Sequence, residues 1–382
     1  MLDHLPIDFR SGLFVGRLQL PAGPTPVVLQ AGRVIDVSAV APTVSQLLAL
    51  WPCDISAGVD LGDIADLALQ PTWEAGEGEA TGLRLLAPVD LQVVKASGVT
   101  FAVSAVERVI EERARGDAQA AQALRASLSA RIGSDIRAVQ PGSATAAHLK
   151  EVLIADGLWS QYLEVAIGPD AEIFTKAPVL SSVGWGDYVG VRSDSAWNNP
   201  EPEVVLVADA TGRVLGATLG NDVNLRDIEG RSALLLGKAK DNNASCALGP
   251  FIRLFDSGFS IDDVRRAEVQ LEITGDDGFR LTGGSSMSLI SRDPLELVHQ
   301  AMGKSHQYPD GMALFLGTMF APIQDRGAVG QGFTHQVGDV VRVASERLGT
   351  LVNRVRTCEE APPWTEGITA LMLNLARRNL LR

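Results

Sequence analysis

The chain has 382 residues, 46% of them hydrophobic, with 46 acidic against 33 Lys and Arg side chains and a formal charge of −13. That composition supports a substantial core in one large or two unequal domains, and the acidic excess without a basic stripe excludes nucleic acid or an anionic membrane as a partner. Cys53, Cys246 and Cys358 are odd in number and lack metal spacing, Met1-Leu2-Asp3-His4 carries no basic-then-apolar signal, and no uncharged apolar run reaches spanning length, so a soluble protein of a reducing cytoplasm is expected.

Short apolar runs broken by Pro and Gly predict a small β-rich N-terminal domain over residues 1–80. One helix is expected inside it, capped by Thr43, with Val44, Leu47, Leu48 and Trp51 at helical spacing and Pro52 as its stop. The Gly- and Glu-rich stretch 72–81 marks the boundary with a second domain over 81–382. There, 104–134 is the longest helical stretch: Val103, Val106 and Ile110 fall on one face, while Ser104, Arg108, Glu111 and Glu112 share another.

The stretch 200–250 carries the clearest chemistry. Val204 to Ala208, an Asp-Ala-Thr-Gly turn at 209–212 and a second apolar run over 214–219 read as a hairpin. Alternation points Glu201 and Glu203 to one side, and the returning strand leaves Asp222 at the far end beside them. Converging carboxylates repel unless something neutralises them. All-oxygen ligands without His or Cys favour magnesium, or manganese or calcium, over zinc; the competing reading is the solvated face of an edge strand. Further along, strands are expected over 267–273 and 279–281 around an Asp-Asp-Gly turn, and Gly283-Gly284-Ser285-Ser286 reads as a strand turn because it lacks phosphate-loop spacing. A short helix over 291–302 is expected to be capped by Ser291. A last helix from Pro362-Pro363 carries an apolar stripe of Ile368, Leu371, Met372, Leu375 and Ala376.

Several ordered blocks, from Glu201-x-Glu203 through Gly220-Asn221-Asp222, Gly237-Lys238-Ala239-Lys240 and Cys246-Ala247-Leu248-Gly249-Pro250-Phe251 to Gly311–Thr318, Gly338-Asp339-Val340 and 348–353, resemble the fumarylacetoacetate hydrolase family. The resemblance covers roughly residues 83 to 355. It implies a strand-rich α+β fold, with a mixed β-sandwich or roll as the catalytic domain over 81–382. A helical insertion at about 117–167 and a C-terminal helix complete that domain. It implies Mg2+, with Mn2+ as a substitute, on Glu201, Glu203 and Asp222, and Lys240 beside the cation as a catalytic and substrate-binding residue; the alternative for Lys240 is a surface loop lysine.

Gly317 and Thr318, offering an N–H and a hydroxyl, and Glu229 are implied substrate contacts, against an ordinary strand end for the first two. Family hydrolases use a His-Glu pair on a lid, and the corresponding 100–113 stretch has no histidine, which leaves Glu111 or Glu112, oriented by Arg108, as the acid-base group. The resemblance therefore implies a dehydratase acting on a small 2-keto-3-deoxy sugar acid, in a homodimer or higher homo-oligomer. The alternatives are an acylpyruvate or 2,4-diketo-acid hydrolase, which would need a base such as His148, and a metal-binding protein without turnover.

Overall fold

A computed structural model describes residues 1–74, 83–101, 105, 139–320, 324–326 and 332–381. Its centre is an 11-stranded sheet. From edge to edge the strands are Val59–Asp63, Arg33–Asp36, Gly23–Gln30, Leu13–Leu20, Cys246–Leu254, Val214–Asp222, Pro202–Ala208, Met312–Phe315, Val93–Gly98 and Glu172–Ala177, with Arg84–Leu86 pairing beside Leu13–Leu20. A 5-stranded sheet of Arg280–Ser286, Glu268–Thr274, Val340–Ser345, Gly349–Thr357 and Tyr188–Val191 packs against it.

Period-two alternation assigns the two faces. Val204, Leu206, Ala217 and Leu219 share a core with Leu271, Val343, Leu351 and Val355 of the smaller sheet. Val205, Val207, Ile252 and Phe315 turn the other way, onto Val44, Leu47 and Leu48 of the helix Val44–Leu50. A strand buried on both faces needs an unbroken apolar run, and Val204 to Ala208 supplies one. The fold is the expected strand-rich α+β arrangement. Its N-terminal strands extend the large sheet, since Val15 pairs with Ile252 across the join.

Three local expectations shift. The helix predicted over 291–302 is Pro294–Ala301, because Pro294 suits the first turn and the Asp293 carboxylate accepts the Leu295 N–H. Gly283 to Ser286 lie inside the strand Arg280–Ser286; the Phe320 ring sits where a Gly283 Cβ would stand, at 2.2 Å. The last helix is Ile368–Arg377, which buries Leu371 and Leu375 and leaves Ile368 and Met372 each 53% exposed.

Within the insertion, Ser143 and Ser160 cap the helices Ala144–Ala155 and Gln161–Ile167, which share a small core of Leu149, Leu153, Leu158, Leu163 and Ile167. Among the described residues no helix is long and apolar enough to cross a membrane.

Candidate active site

Pro202–Ala208 and Val214–Asp222 form the hairpin read from the sequence, in the register Glu203 to Gly220 and Pro202 to Asn221. Asp209 holds its turn by accepting from the Thr211 N–H at 2.9 Å and hydroxyl at 2.6 Å, and Gly212 takes the positive φ of 83° that the turn needs. Just past the strand end, the Asp222 N–H donates to the Glu201 carbonyl at 3.0 Å, and the Glu201 N–H to Asn221 Oδ1 at 3.2 Å. These bonds carry the pairing far enough that Glu201, Glu203 and Asp222 each offer an oxygen within 4.8 Å of the others, all three buried.

Two ammonium groups meet this cluster. Lys240, the last residue of the helix Leu236–Lys240, donates to Glu201 Oε2 at 2.5 Å and Asp222 Oδ2 at 2.9 Å, and is itself buried. Lys176, near the end of Glu172–Ala177 and wholly buried, places Nζ 2.8 Å from Asp222 Oδ1 and donates to the carbonyls of Val223, at 3.1 Å, and Lys240. Glu203 faces neither lysine so closely; its Oε2 accepts the Gly317 N–H at 2.6 Å. Gly317 has a φ of +89°, and a Cβ there would lie 2.1 Å from the Thr100 hydroxyl, so only glycine can present that N–H. Asn224 Nδ2 bridges Glu201 Oε1 at 3.1 Å and Glu229 Oε2 at 2.6 Å.

Burial acts on all three carboxyls, and their partners separate them. Desolvation, joined by the Asp222 and Glu201 charges, pushes Glu203 well above the ordinary carboxyl range. Desolvation also raises Glu201, against the opposing pull of Lys240. In Asp222 desolvation is outweighed by Lys176 and Lys240, which hold it below its usual value. Lys240 is depressed by burial, yet Asp222, Glu201 and Glu229 outweigh that and hold its ammonium form far above the usual lysine range. Glu201 and Asp222 are thus balanced by Lys240 and Lys176, while Glu203 has no ammonium bonded to it and is shifted toward its protonated form. A buried all-oxygen cluster with one carboxyl lacking a bonded counter-charge fits a hard divalent cation supplying that charge.

Residues 198–356 match the family model described as fumarylacetoacetate (FAA) hydrolase C-terminal. This stretch is a fumarylacetoacetate hydrolase domain. The chain is 32% identical over 185 residues to a 2-dehydro-3-deoxy-D-arabinonate dehydratase of Saccharolobus solfataricus, covering 48% of this chain and 58% of that protein. It is 33% identical over 196 residues to a probable 2-keto-3-deoxyxylonate dehydratase of Haloferax volcanii, covering 51% of this chain and 64% of that protein. The matched stretches therefore span less than two thirds of either relative. Among solved structures, a 2-keto-3-deoxy-D-arabinonate dehydratase complexed with magnesium and 2,5-dioxopentanoate shares the fold at a TM-score of 0.61 and 22% identity, over 91% of this chain and 99% of that one.

The fumarylacetoacetate hydrolase domain contributes the three carboxylates, Lys240 and Gly317. They open on a cavity of about 420 Å³ whose wall also includes Glu229 and Thr318. Two expected substrate contacts have other bonds. The Gly317 N–H goes to Glu203, and the Thr318 hydroxyl is engaged with the Phe320 backbone at 3.2 Å. Arg108, Glu111 and Glu112 lie outside the described residues. His148 is on the outer surface of Ala144–Ala155, its side chain 79% exposed and 3.8 Å from Glu151, and does not line the cavity.

Three residues of the site were not anticipated. Lys176 had a signal: a lysine next to Ala177-Pro178 at the end of a strand buries its charge only against acid. Asn224 gave none beyond closeness to Asp222. Ser97, on the cavity wall at the end of Val93–Gly98, has a buried hydroxyl with no partner among the described residues.

Proposed function

We propose that the protein is a magnesium-dependent dehydratase that converts a 2-keto-3-deoxypentonate to 2-oxoglutarate semialdehyde (2,5-dioxopentanoate), with manganese as a possible substitute metal. The observation that carries this reading is the buried Glu201, Glu203 and Asp222 cluster, with Lys240 in contact, opening on a small-molecule cavity. The similarity of the fumarylacetoacetate hydrolase domain to sugar-acid dehydratases supports it.

Magnesium held by the three carboxylates would supply Lewis-acid polarisation of a 2-keto acid head. The chain's own residues do the rest. Lys240 is a fixed positive charge on the wall, available to a substrate carboxylate or an oxygen gaining negative charge. Lys176 keeps Asp222 ionised, Gly317 orients Glu203, and Asn224 ties Glu229 to Glu201.

Dehydration requires a proton taken from C3 and a proton given to the departing C4 hydroxyl, so that one water leaves; a tautomeric shift then turns C5 into an aldehyde. Glu111 or Glu112, oriented by Arg108, is the proposed acid-base group. The reading also places the enzyme in cytoplasmic pentose breakdown as a homo-oligomer, a view supported by three unpaired cysteines and by apolar surface at Trp364, Ile368 and Met372.

The test is incubation with magnesium and either 2-keto-3-deoxypentonate or an acylpyruvate. 2,5-Dioxopentanoate is expected from the first and no cleavage of the second. Pyruvate released from the acylpyruvate, with the pentonate untouched, would replace this reading by the hydrolase one.

A further inference from the structure

The insertion, which has no counterpart in the motifs that define the site, builds part of the cavity. Gln161, Tyr162 and Val165, all on the helix Gln161–Ile167, line the same cavity as the carboxylate cluster and Lys240. On a helix, residues one and four apart from Gln161 present a short polar edge followed by an apolar step, so this wall offers an amide, a phenol and a methyl surface.

The wall is held in place. The guanidinium of Arg292, fully buried, donates to the Val165 carbonyl at 2.8 and 3.0 Å, to Gly168 at 2.7 Å and to Asp170 at 3.2 Å, and is paired with Glu296 at 2.8 Å. Gln300 adds a bond to the Pro169 carbonyl at 2.9 Å and accepts the Ala171 N–H at 2.7 Å. Four carbonyls just past or within the last turn of a seven-residue helix are thereby fixed, three to Arg292 and one to Gln300 of Pro294–Ala301. Val165 belongs both to the clamp and to the cavity, so the clamp acts directly on the wall.

The cavity is chemically divided. The hairpin and Leu236–Lys240 supply charge suited to a keto-acid head. Gln161 and Tyr162 supply uncharged hydrogen-bonding groups. Uncharged donors and acceptors on a rigid wall suit hydroxyl groups on a substrate tail and supply no counter-charge for a second carboxylate. We infer that Gln161 and Tyr162 of the insertion determine specificity by reading the hydroxylated tail of a 2-keto acid whose head is bound at the carboxylate cluster, an inference that rests on the 2-keto-acid reading above.

The test uses ligands that cannot eliminate water from C4: pyruvate for the head alone, 2-oxopentanoate for a bare tail and 5-hydroxy-2-oxopentanoate for a hydroxylated one. Their affinities are measured by calorimetry on the full chain with magnesium. The wild type should prefer the hydroxylated over the bare tail by roughly tenfold, as one or two tail hydrogen bonds allow. The paired variant Gln161→Leu/Tyr162→Phe should lose that preference while binding pyruvate as before, which also shows that it folds. An undiminished preference in the variant, or none in the wild type although pyruvate binds, overturns the inference and leaves the head-group reading standing. Failure of pyruvate to bind the wild type removes both.

Discussion

Lys176→Met removes one ammonium from a closed balance of charges. In the cation-free protein Asp222 keeps its charge because Lys176 and Lys240 outweigh its burial, and Lys176 stands 2.8 Å from one of its oxygens with no exposure to water. Met preserves the length of the stem, so the loss is electrostatic. Breaking a buried pair by removing one partner costs about 3–5 kcal/mol. With an unfolding entropy of about 2.1 cal/mol/K per residue, a chain of this size should melt roughly 4–6 °C lower. The Val223 and Lys240 carbonyls lose a donor as well, which places the effect toward the upper end.

A cation bound at the cluster would supply the missing positive charge, so the deficit should shrink when magnesium is saturating: the variant gains more in Tm from magnesium than the wild type does. Calorimetric scans with EDTA and with excess magnesium read both quantities. A variant that melts like the wild type, or a deficit unchanged by magnesium, would refute the charge balance derived for this site.

EDTA should abolish turnover and magnesium or manganese restore it, with Ala at Glu201, Glu203 or Asp222 nearly inactive yet folded by circular dichroism; full activity after metal stripping rejects the cluster as a metal site. Lys240→Met should lower kcat/KM by roughly two orders of magnitude, the scale of one lost electrostatic stabiliser, and a near-native rate makes this lysine only structural. Because Glu203 is raised well above its ordinary value of 4.5, magnesium competes with a proton there below the raised pKa. Affinity should therefore fall by up to about tenfold per pH unit below the raised pKa and level off above it. The same group stabilises the cation-free fold below about 4.5, and that contribution is lost as pH rises through the folded value, so the Tm gain from magnesium should widen over that window. Glu111→Gln should stop dehydration and the exchange of C3 protons with deuterated solvent while magnesium still binds. Loss of activity in His148→Asn, with Glu111→Gln and Glu112→Gln both tolerated, would instead require a base from the insertion.

Much of the hairpin was legible because its determinants are local. An apolar run, an Asp-Ala-Thr-Gly turn and a second apolar run fix both strand identity and register, and register alone places Glu203 against Gly220 and leaves Glu201 beside Asp222. Lys240 could be placed through the resemblance of its block, although nothing in its spacing says that it folds back onto Glu201. The solvated-face reading of Glu201 and Glu203 depended on an edge strand, and that was not decidable locally. Pro202–Ala208 lies between Val214–Asp222 and Met312–Phe315, whose pairing partner comes from more than 100 residues further on. Lys176 and Gly317 were hidden for the same reason: their roles come from contacts with Asp222 and Glu203 that span 46 and 114 residues.

The insertion shows a second limit on reading function from local motifs. Its described helices are capped by serines and make a small core of their own, and that pattern is equally suited to padding on the side of a domain. What turns Gln161–Ile167 toward the carboxylates is Arg292, 125 or more residues away, whose charge is buried against backbone carbonyls instead of a carboxylate alone. Such a burial is costly unless nearly every donor is used, and here Nε, Nη1 and Nη2 all are. A loosely attached accessory helix would not require it. The arrangement makes sense where the position of the helix matters, and among the described residues its position touches chemistry at the cavity that Gln161, Tyr162 and Val165 share with Glu201, Glu203 and Asp222.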